Sequence, residues 1–384
     1  MQLEVIGVGA AGCRIADAIH AGDPAERSVV GTAFAFDVDG EDVTALQSIP
    51  VARRFRYGET IENGLNGNLQ RGFTVGEEHV DELSRHLDDG QPSIADAFVV
   101  AVGLGGATGG GTVPALVENL QRLYDKPVYV LATLPATSEL EPSSDDRSGS
   151  GSDAETRPMA EENAVRTLER LEGSADAVIA FDNEEWLRSS ETVLEARDRL
   201  NRELADRVLA FFTATASGTD EPSGAETIID ANDVARILGD ETGIATIGYG
   251  KQQVETDDGG SRFGLGLFSA ETSVDTTTAI SAIETTIQKG LRGKLTLECD
   301  RGDADRALLV VGGPPAWLNR QAIADGRSTL ESATGSAEIL SGDAPRPDSD
   351  QVFAVVLLAG VEPAGRLAAL RSRTKPLDRR RAGE

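Results

Sequence analysis

Short, nearly continuous apolar runs, separated by stretches with helical periodicity, fill the first half of the chain. Leu3 to Val8, Val29 to Phe36, Ala97 to Val102, Pro127 to Leu134 and Ala177 to Phe181 are apolar at most positions, as strands buried on both faces require. Strand-like and helical stretches alternate, so the rhythm predicts a parallel sheet covered by helices. From Glu195 to Phe212 the apolar residues Ala196, Leu200, Leu204, Val208 and Phe211 recur three and four apart, the spacing of one helix face. That pattern predicts one long connecting helix.

From Gly243 onward the pattern changes. A strand-like GIATIGYG is followed by a helix from about Val274 to Leu291, a strand from Ala307 to Val311, a polar stretch, and a strand from Val352 to Leu358. This predicts a second, smaller α+β unit, and 384 residues suffice for two cores. The segment SSDDRSGSGSDAET, Ser143 to Thr156, has almost no large apolar residue and cannot offset its ordering entropy, so residues 142–157 are expected to be a disordered insertion. The predicted organisation is a first unit over 1–190, a connecting helix over 191–216, a C-terminal unit over 217–362 and a basic tail over 363–384. The tail, RSRTKPLDRRR from Arg371 to Arg381, reads first as a solvated end and second as a contact segment.

Charge narrows the partners. The formal net charge is -28, which disfavours nucleic acid and anionic membranes through long-range repulsion. Lysine occurs only at Lys126, Lys251, Lys289, Lys294 and Lys375; arginine carries most positive charge, and acids cover the rest. Such a surface has a halophilic character, because at ~1 M salt the Debye length falls to ~3 Å and the self-repulsion is screened. Cys13 and Cys299 are too few and too far apart for a disulfide framework or a metal cluster. No apolar run approaches the ~20 residues of a membrane span, and the chain enters a strand at once. A cytoplasmic protein without a membrane span is expected.

Two glycine-rich turns carry the candidate chemistry. LEVIGVGAAGCR, Leu3 to Arg14, reads as a buried strand, a tight turn and a helix start. There Gly9, Ala10, Ala11, Gly12, Cys13 and Arg14 could bring backbone N–H groups and a helix dipole against an anion. Gly7, Gly9 and Gly12 also satisfy the dinucleotide pattern GxGxxG, with Asp37 or Asp39 as the following acid. VGLGGATGGGTVP, Val102 to Pro114, repeats the arrangement, with Gly105, Gly106, Ala107, Thr108, Gly109, Gly110 and Gly111 as candidate phosphate contacts. So many glycines raise the entropy cost of folding, and a ligand that needs several converging N–H groups supplies a reason.

GGATGGG at Gly105 to Gly111 resembles the tubulin/FtsZ signature loop GGGTG[ST]G, and GVGAAGCR resembles that superfamily's first phosphate loop. Neither has the lysine of a P-loop. The resemblance runs in order from Met1 to about Gly360, and is nearest the archaeal CetZ-like branch. LPATSELE, Leu134 to Glu141, is similar to a sugar-contacting loop that places Glu139 at the nucleotide; FDNEEW from Phe181 resembles the segment that reads guanine through Asn183, and Asn201 matches a second base-contacting position. An amide suits that task because it donates and accepts at once. The resemblance implies a Rossmann-like GTPase domain, a long central helix and an α+β C-terminal domain, with GTP or GDP and Mg²⁺ as cofactors. It also departs from the family: Asp37 and Asp39 stand where Asn-Thr is usual, and Arg202 replaces an aromatic four residues before Asp206.

Superfamily members hydrolyse GTP when an adjacent subunit brings an acidic loop to the γ-phosphate. The matching segment is TIIDANDVARIL, Thr227 to Leu238, with Asp230 and Asp233 three apart at a helix start. Such a pair can orient an attacking water, or Asp230 can simply cap the helix. The implied protein is a cytoskeletal GTPase that assembles head to tail with itself, and with other tubulin-like filament proteins as possible partners, in cell shape or motility. The alternatives are a degenerate nucleotide-binding relative with little turnover and an NAD- or FAD-dependent oxidoreductase, which leaves the second glycine loop unexplained.

Overall fold

The computed structural model describes residues 1–61, 64–140, 156–215, 227–239, 243–255, 274–336 and 338–374. The predicted acidic insertion up to Glu155, and the tail beyond Thr374, lie outside the described residues. The first half contains β1 (Leu3–Val8), α1 (Gly9–Gly22), β2 (Val30–Asp37), α2 (Gly40–Thr44), β3 (Arg54–Arg56), α3 (Leu69–Leu87), β4 (Ala97–Gly103), α4 (Ala107–Leu123), β5 (Val128–Leu134), α5 (Ala160–Leu171), β6 (Ala177–Asp182), α6 (Asn183–Trp186) and α7 (Val193–Ala214). The second half contains α8 (Ala231–Leu238), β7 (Gly243–Gln253), α9 (Thr276–Arg292), β8 (Arg306–Gly313), α10 (Arg320–Thr334), β9 (Glu338–Pro345), β10 (Gln351–Ala359) and α11 (Gly365–Arg373).

The strands form one sheet in the order β3-β2-β1-β4-β5-β6-β7-β10-β8-β9. β1 pairs in parallel with β2 on one side and β4 on the other, Val8 lying opposite both Phe36 and Val102. The chain order reverses at this point, and a doubly wound sheet opens a crevice beyond the strand ends there. Every residue of β1, β5 and β6 is buried, which accounts for the continuous apolar runs.

All five predicted apolar positions of α7 are buried. Its start is fixed by a capping box in which the Thr192 hydroxyl accepts from Glu195 N–H and the Glu195 carboxylate accepts from Thr192 N–H. Its last turn is held by Arg346, which donates to Thr213 O at 2.7 Å, a cation where the helix dipole is negative.

The second unit does not stand apart. β7 adds to β6 in parallel through Ala177 to Ile179, so the sheet crosses the boundary, and the two apolar layers on its faces each draw residues from both halves. The stretch that reads as polar holds α10 and β9. β9, EILSGDAP, lies at the sheet edge and is only partly buried, so its sequence lacks the apolar signature of the other strands. The basic tail is likewise more than a solvated end, because its first part is α11, with Arg371 paired to Glu172.

Candidate functional site

α1 and α4 begin at the ends of β1 and β4, the two strands that flank the switch point. Neither helix has a side-chain N-cap, so the N–H groups of their first turns are left for another acceptor. The two starts touch. Gly9 has φ +74°, and a Cβ placed on it would lie 2.7 Å from Gly109 N; one placed on Gly109 would lie 2.6 Å from Val8 O. Only glycine permits this approach, which sets two positive helix ends side by side.

The glycines of the second loop divide by their surroundings. At Gly110 an added Cβ would meet Thr167 Oγ1 at 2.6 Å, and at Gly111 the backbone of Gly72 at 2.3 Å, whereas at Gly106 nothing lies nearer than 3.6 Å. Packing thus gives part of the run a reason of its own, beside the ligand expected from the sequence. Close packing of α4 on β1, α3 and α5 requires Gly109, Gly110 and Gly111, and Gly106 is the open position. Thr108, Ala10 and Ala11 are partly exposed beside it, while Gly105, Ala107 and Gly12 are buried.

Cys13 is fully buried, its thiol donating to Phe36 O at 3.4 Å and contacting Gly7 O at 3.5 Å. Burial pushes its ionisation well above the usual thiol range. Its side chain thus fastens α1 to β1 and β2. Arg14 is partly exposed and paired with Asp42 of α2. Next to Cys13, Asp37 ends β2 with 2% exposure. Its Oδ1 accepts from Asp39 N–H at 3.1 Å and its Oδ2 is buried without a partner; desolvation raises its pKa to about 7. Its negative charge near neutral pH is thereby reduced.

At the end of β5, Glu139 turns its carboxylate inward to accept from Ala136 N–H at 2.8 Å, and burial raises its pKa. It shapes the Pro135–Leu140 loop more than it presents a free carboxylate. Asn183 opens α6 and Asn201 lies on α7; both are half-buried, and neither amide has a hydrogen-bond partner among the described residues. Arg199, one half-turn before Asn201, donates to Trp186 O at 3.1 Å, so α6 and α7 are tied where these amides lie. Asp206 is exposed, and its charge adds to the burial that raises the pKa of Tyr249 on β7.

Asp230 and Asp233 lie at the other edge of the sheet. Gly22, at the far end of α1, packs against Leu209 near the far end of α7; Arg27, just beyond, donates to Pro345 O at 3.0 Å; and Thr227 N–H donates to Asp343 at 2.8 Å. The acidic segment thus starts near the C-terminal end of the 14-residue α1, roughly 20 Å of helix from the loop at its N-terminus. The two carboxylates form a capping box: Asp230 Oδ1 accepts from Asn232 and Asp233 N–H, and Asp233 Oδ2 accepts from Asp230 N–H. Their other oxygens, Asp230 Oδ2 and Asp233 Oδ1, make no hydrogen bond among the described residues.

Sequence reasoning missed the links between the Pro135–Leu140 loop and the start of α6. Glu184 of α6 accepts from Thr137 N–H at 2.7 Å, and Arg366 of α11 reaches Asp182, Glu161 and Pro135 O. Arg366 lies outside every motif, and 184 residues separate it from Asp182, so no local pattern announces it.

A sheet in this order, with two uncapped helix starts at the switch point, defines the class of α/β folds that hold phosphate-bearing ligands at that crevice. The family model of the tubulin/FtsZ GTPase domain matches residues 2–191, and that of the tubulin-like CetZ C-terminal domain matches residues 190–376. The tubulin-like protein CetZ5 of Haloferax volcanii is 35% identical over 97% of this chain and 91% of its own. Among solved structures, a GDP-bound CetZ1 monomer from Haloferax volcanii superimposes with a TM-score of 0.78 at 29% identity, covering 97% of this chain and 98% of that one. A GTPγS-bound CetZ2 protofilament from the same organism gives 0.78 at 27% identity, with 97% of each chain covered. The chain belongs to the tubulin/FtsZ superfamily, in its CetZ branch. No helix among the described residues is long and apolar enough to cross a membrane.

Proposed function

We propose that the chain binds GTP and GDP, assembles head to tail into filaments, and hydrolyses GTP where two copies meet. The observation that carries this reading is the contact of α1 and α4 through Gly9 and Gly109, which aims two sets of free N–H groups at one crevice. The phosphates would rest on Ala10, Ala11, Gly106, Ala107 and Thr108, the sugar beside the Glu139 loop, and the base between Asn183 and Asn201. The GDP of the CetZ1 monomer and the GTPγS of the CetZ2 protofilament support guanine as the base.

Asp230 and Asp233 are the proposed catalytic carboxylates, each with one oxygen left after capping. Being at the edge opposite the loops, they can reach a γ-phosphate only on another copy. A head-to-tail contact is heterologous and generates an open filament when its rotation does not close a ring. The protofilament of the similar CetZ2 supports this reading. Mg²⁺ would complete the site by neutralising charge between phosphate and carboxylate. Among the described residues no group of three or more His, Cys, Asp or Glu side chains is arranged to hold a metal ion, so phosphate oxygens and water would provide most ligands. The unpaired Asp37 Oδ2 is a chemically suitable further donor. The setting we assign is the cytoplasm, with a part in cell shape or motility, and the units are 1–190, 191–216 and 217–362.

The test is phosphate release from GTP in molar KCl with Mg²⁺, across protein concentrations, beside Asp230→Ala. A specific rate that rises with concentration and is lost in the variant supports shared catalysis. A rate independent of concentration would refute it, and binding without release would leave a nucleotide-controlled assembly protein.

A further inference from the structure

Arg366 projects from α11, the last described helix of the C-terminal half, onto the edge of the first half, with 13% of its side chain exposed. One guanidinium nitrogen donates to Asp182 Oδ1 at 2.8 Å. The other donates to Pro135 O and, at 3.2 Å, to Glu161 Oε1. These acceptors belong to three separate pieces of the proposed nucleotide edge. Asp182 is 2% exposed and caps α6, whose first residue is Asn183, through Glu184 N–H at 3.1 Å. Pro135 begins the Glu139 loop, and Glu161 lies in the first turn of α5, the helix whose Asn163 donates to Gly105 O of the second glycine loop at 3.2 Å.

Other groups of the C-terminal half hold the same element. Asp182 N–H donates to Thr296 O at 2.9 Å, and Lys294 sits 5.0 Å from the Trp186 ring at the end of α6. The short α6 has only four residues, too few to hold its own position. Its place is set from outside: the Glu184–Thr137 bond ties α6 to the Glu139 loop, and the planar fork of Arg366 adds the charged link between Asp182 and Pro135 O. Lysine could keep the charge beside Asp182 but could not span three acceptors.

We propose that Arg366 is a positioning residue for guanine recognition, acting through Asp182 and Pro135 to hold Asn183 at the base. This rests on the proposed reading of the site. The experiment measures binding of GDP and of inosine diphosphate, which lacks the 2-amino group, to the full chain and to Arg366→Ala and Arg366→Lys in molar KCl. For Arg366→Ala we expect GDP affinity about tenfold weaker, the scale of one charge-assisted hydrogen bond, with the preference for GDP over inosine diphosphate falling by a similar factor. Arg366→Lys should lose roughly threefold, between the two.

Equal weakening of both nucleotides would mean only a loosened fold and would overturn the proposal, as would unchanged binding. Should Arg366→Ala fail to fold, Arg366→Lys decides alone: lost preference supports the proposal and retained preference overturns it. Absence of GDP binding by the unaltered protein would overturn the proposed function itself, and this inference with it; intact GDP binding that is indifferent to Arg366 would overturn the inference alone.

Discussion

Asp37→Asn isolates the cost of an acid enclosed beside the first glycine loop. The carboxyl is 2% exposed, its Oδ2 has no partner, and desolvation raises its pKa from 3.8 to about 7. Between these values the folded chain keeps a proton that the unfolded chain has lost. The stability slope against pH follows the protons bound when unfolded minus those bound when folded. That difference is negative here, so stability is fullest below about pH 4, falls as pH rises and levels off above about pH 7.

A rise of that size corresponds to on the order of 4 kcal/mol in all, of which about 2–3 kcal/mol fall between about pH 5 and pH 8. Asparagine cannot ionise, yet it can still accept the Asp39 N–H bond. The variant should therefore be more stable than the parent at about pH 8, with the gap shrinking by about 2–3 kcal/mol on acidification to about pH 5. Urea unfolding at both pH values in molar KCl measures it, because burial, unlike surface repulsion, is not screened by salt. Parallel pH profiles for the two proteins, or a variant less stable at the higher pH, would refute the reasoning. Glu4, buried in β1 with a pKa raised to about 7, contributes a slope of the same sign to both proteins and cancels from the difference.

The glycines make a paired prediction. Gly109→Ala forces a Cβ against Val8 O and should cost about 1–3 kcal/mol as overpacking, whereas Gly106→Ala, whose Cβ would make only an ordinary contact with Gly103 O at 3.6 Å, should stay within about 0.5 kcal/mol and instead weaken nucleotide binding; thermal melts beside a binding titration separate the two. Asp230→Ser keeps a hydroxyl cap for α8, so it should retain the helix stability that Asp230→Ala loses by about 1 kcal/mol. Both variants should lack concentration-dependent GTP turnover, and turnover in the serine variant would reassign Asp230 to capping alone. Tyr57→Phe removes the 2.7 Å hydroxyl contact with buried Thr112 of α4 and should cost about 1–2 kcal/mol in the same unfolding assay.

The features legible in the sequence are those that follow from local pattern. Buried parallel strands announce themselves as apolar runs, and α7 shows its buried face at every turn because one side of it meets the sheet. β3 is illegible because its three residues carry two arginines, and β9 because an edge strand needs no continuous apolar face. The glycine loops can be placed, but the reason for each glycine cannot: whether a Cβ would strike Gly72 or Thr167 or make only an ordinary contact depends on α3 and α5, which meet α4 from elsewhere in the chain. Asp230 and Asp233 admit two readings because a capping box and a catalytic pair use the same residues at the same spacing.

The continuity of the sheet bears on how the two edges communicate. α7 runs from the Asn183 edge, where Arg199 holds Trp186 O, to the acidic edge, where Arg346 holds Thr213 O. Its 22 residues span roughly 33 Å. Burial, with a smaller contribution from nearby Arg27, lowers the pKa of Arg346 to about 10; Arg346 holds the end of α7 while Arg27 holds Pro345 O of β9. A helix held by named contacts at both ends, and packed along its length on one apolar layer, transmits displacement as a rod. On the proposed reading of the site, a base that moves α6 is expected to shift the segment where Thr227 donates to Asp343 at the start of α8. The direction of coupling is reciprocal: a second copy docked on the acidic edge should alter nucleotide affinity at the loops by the factor that nucleotide alters docking.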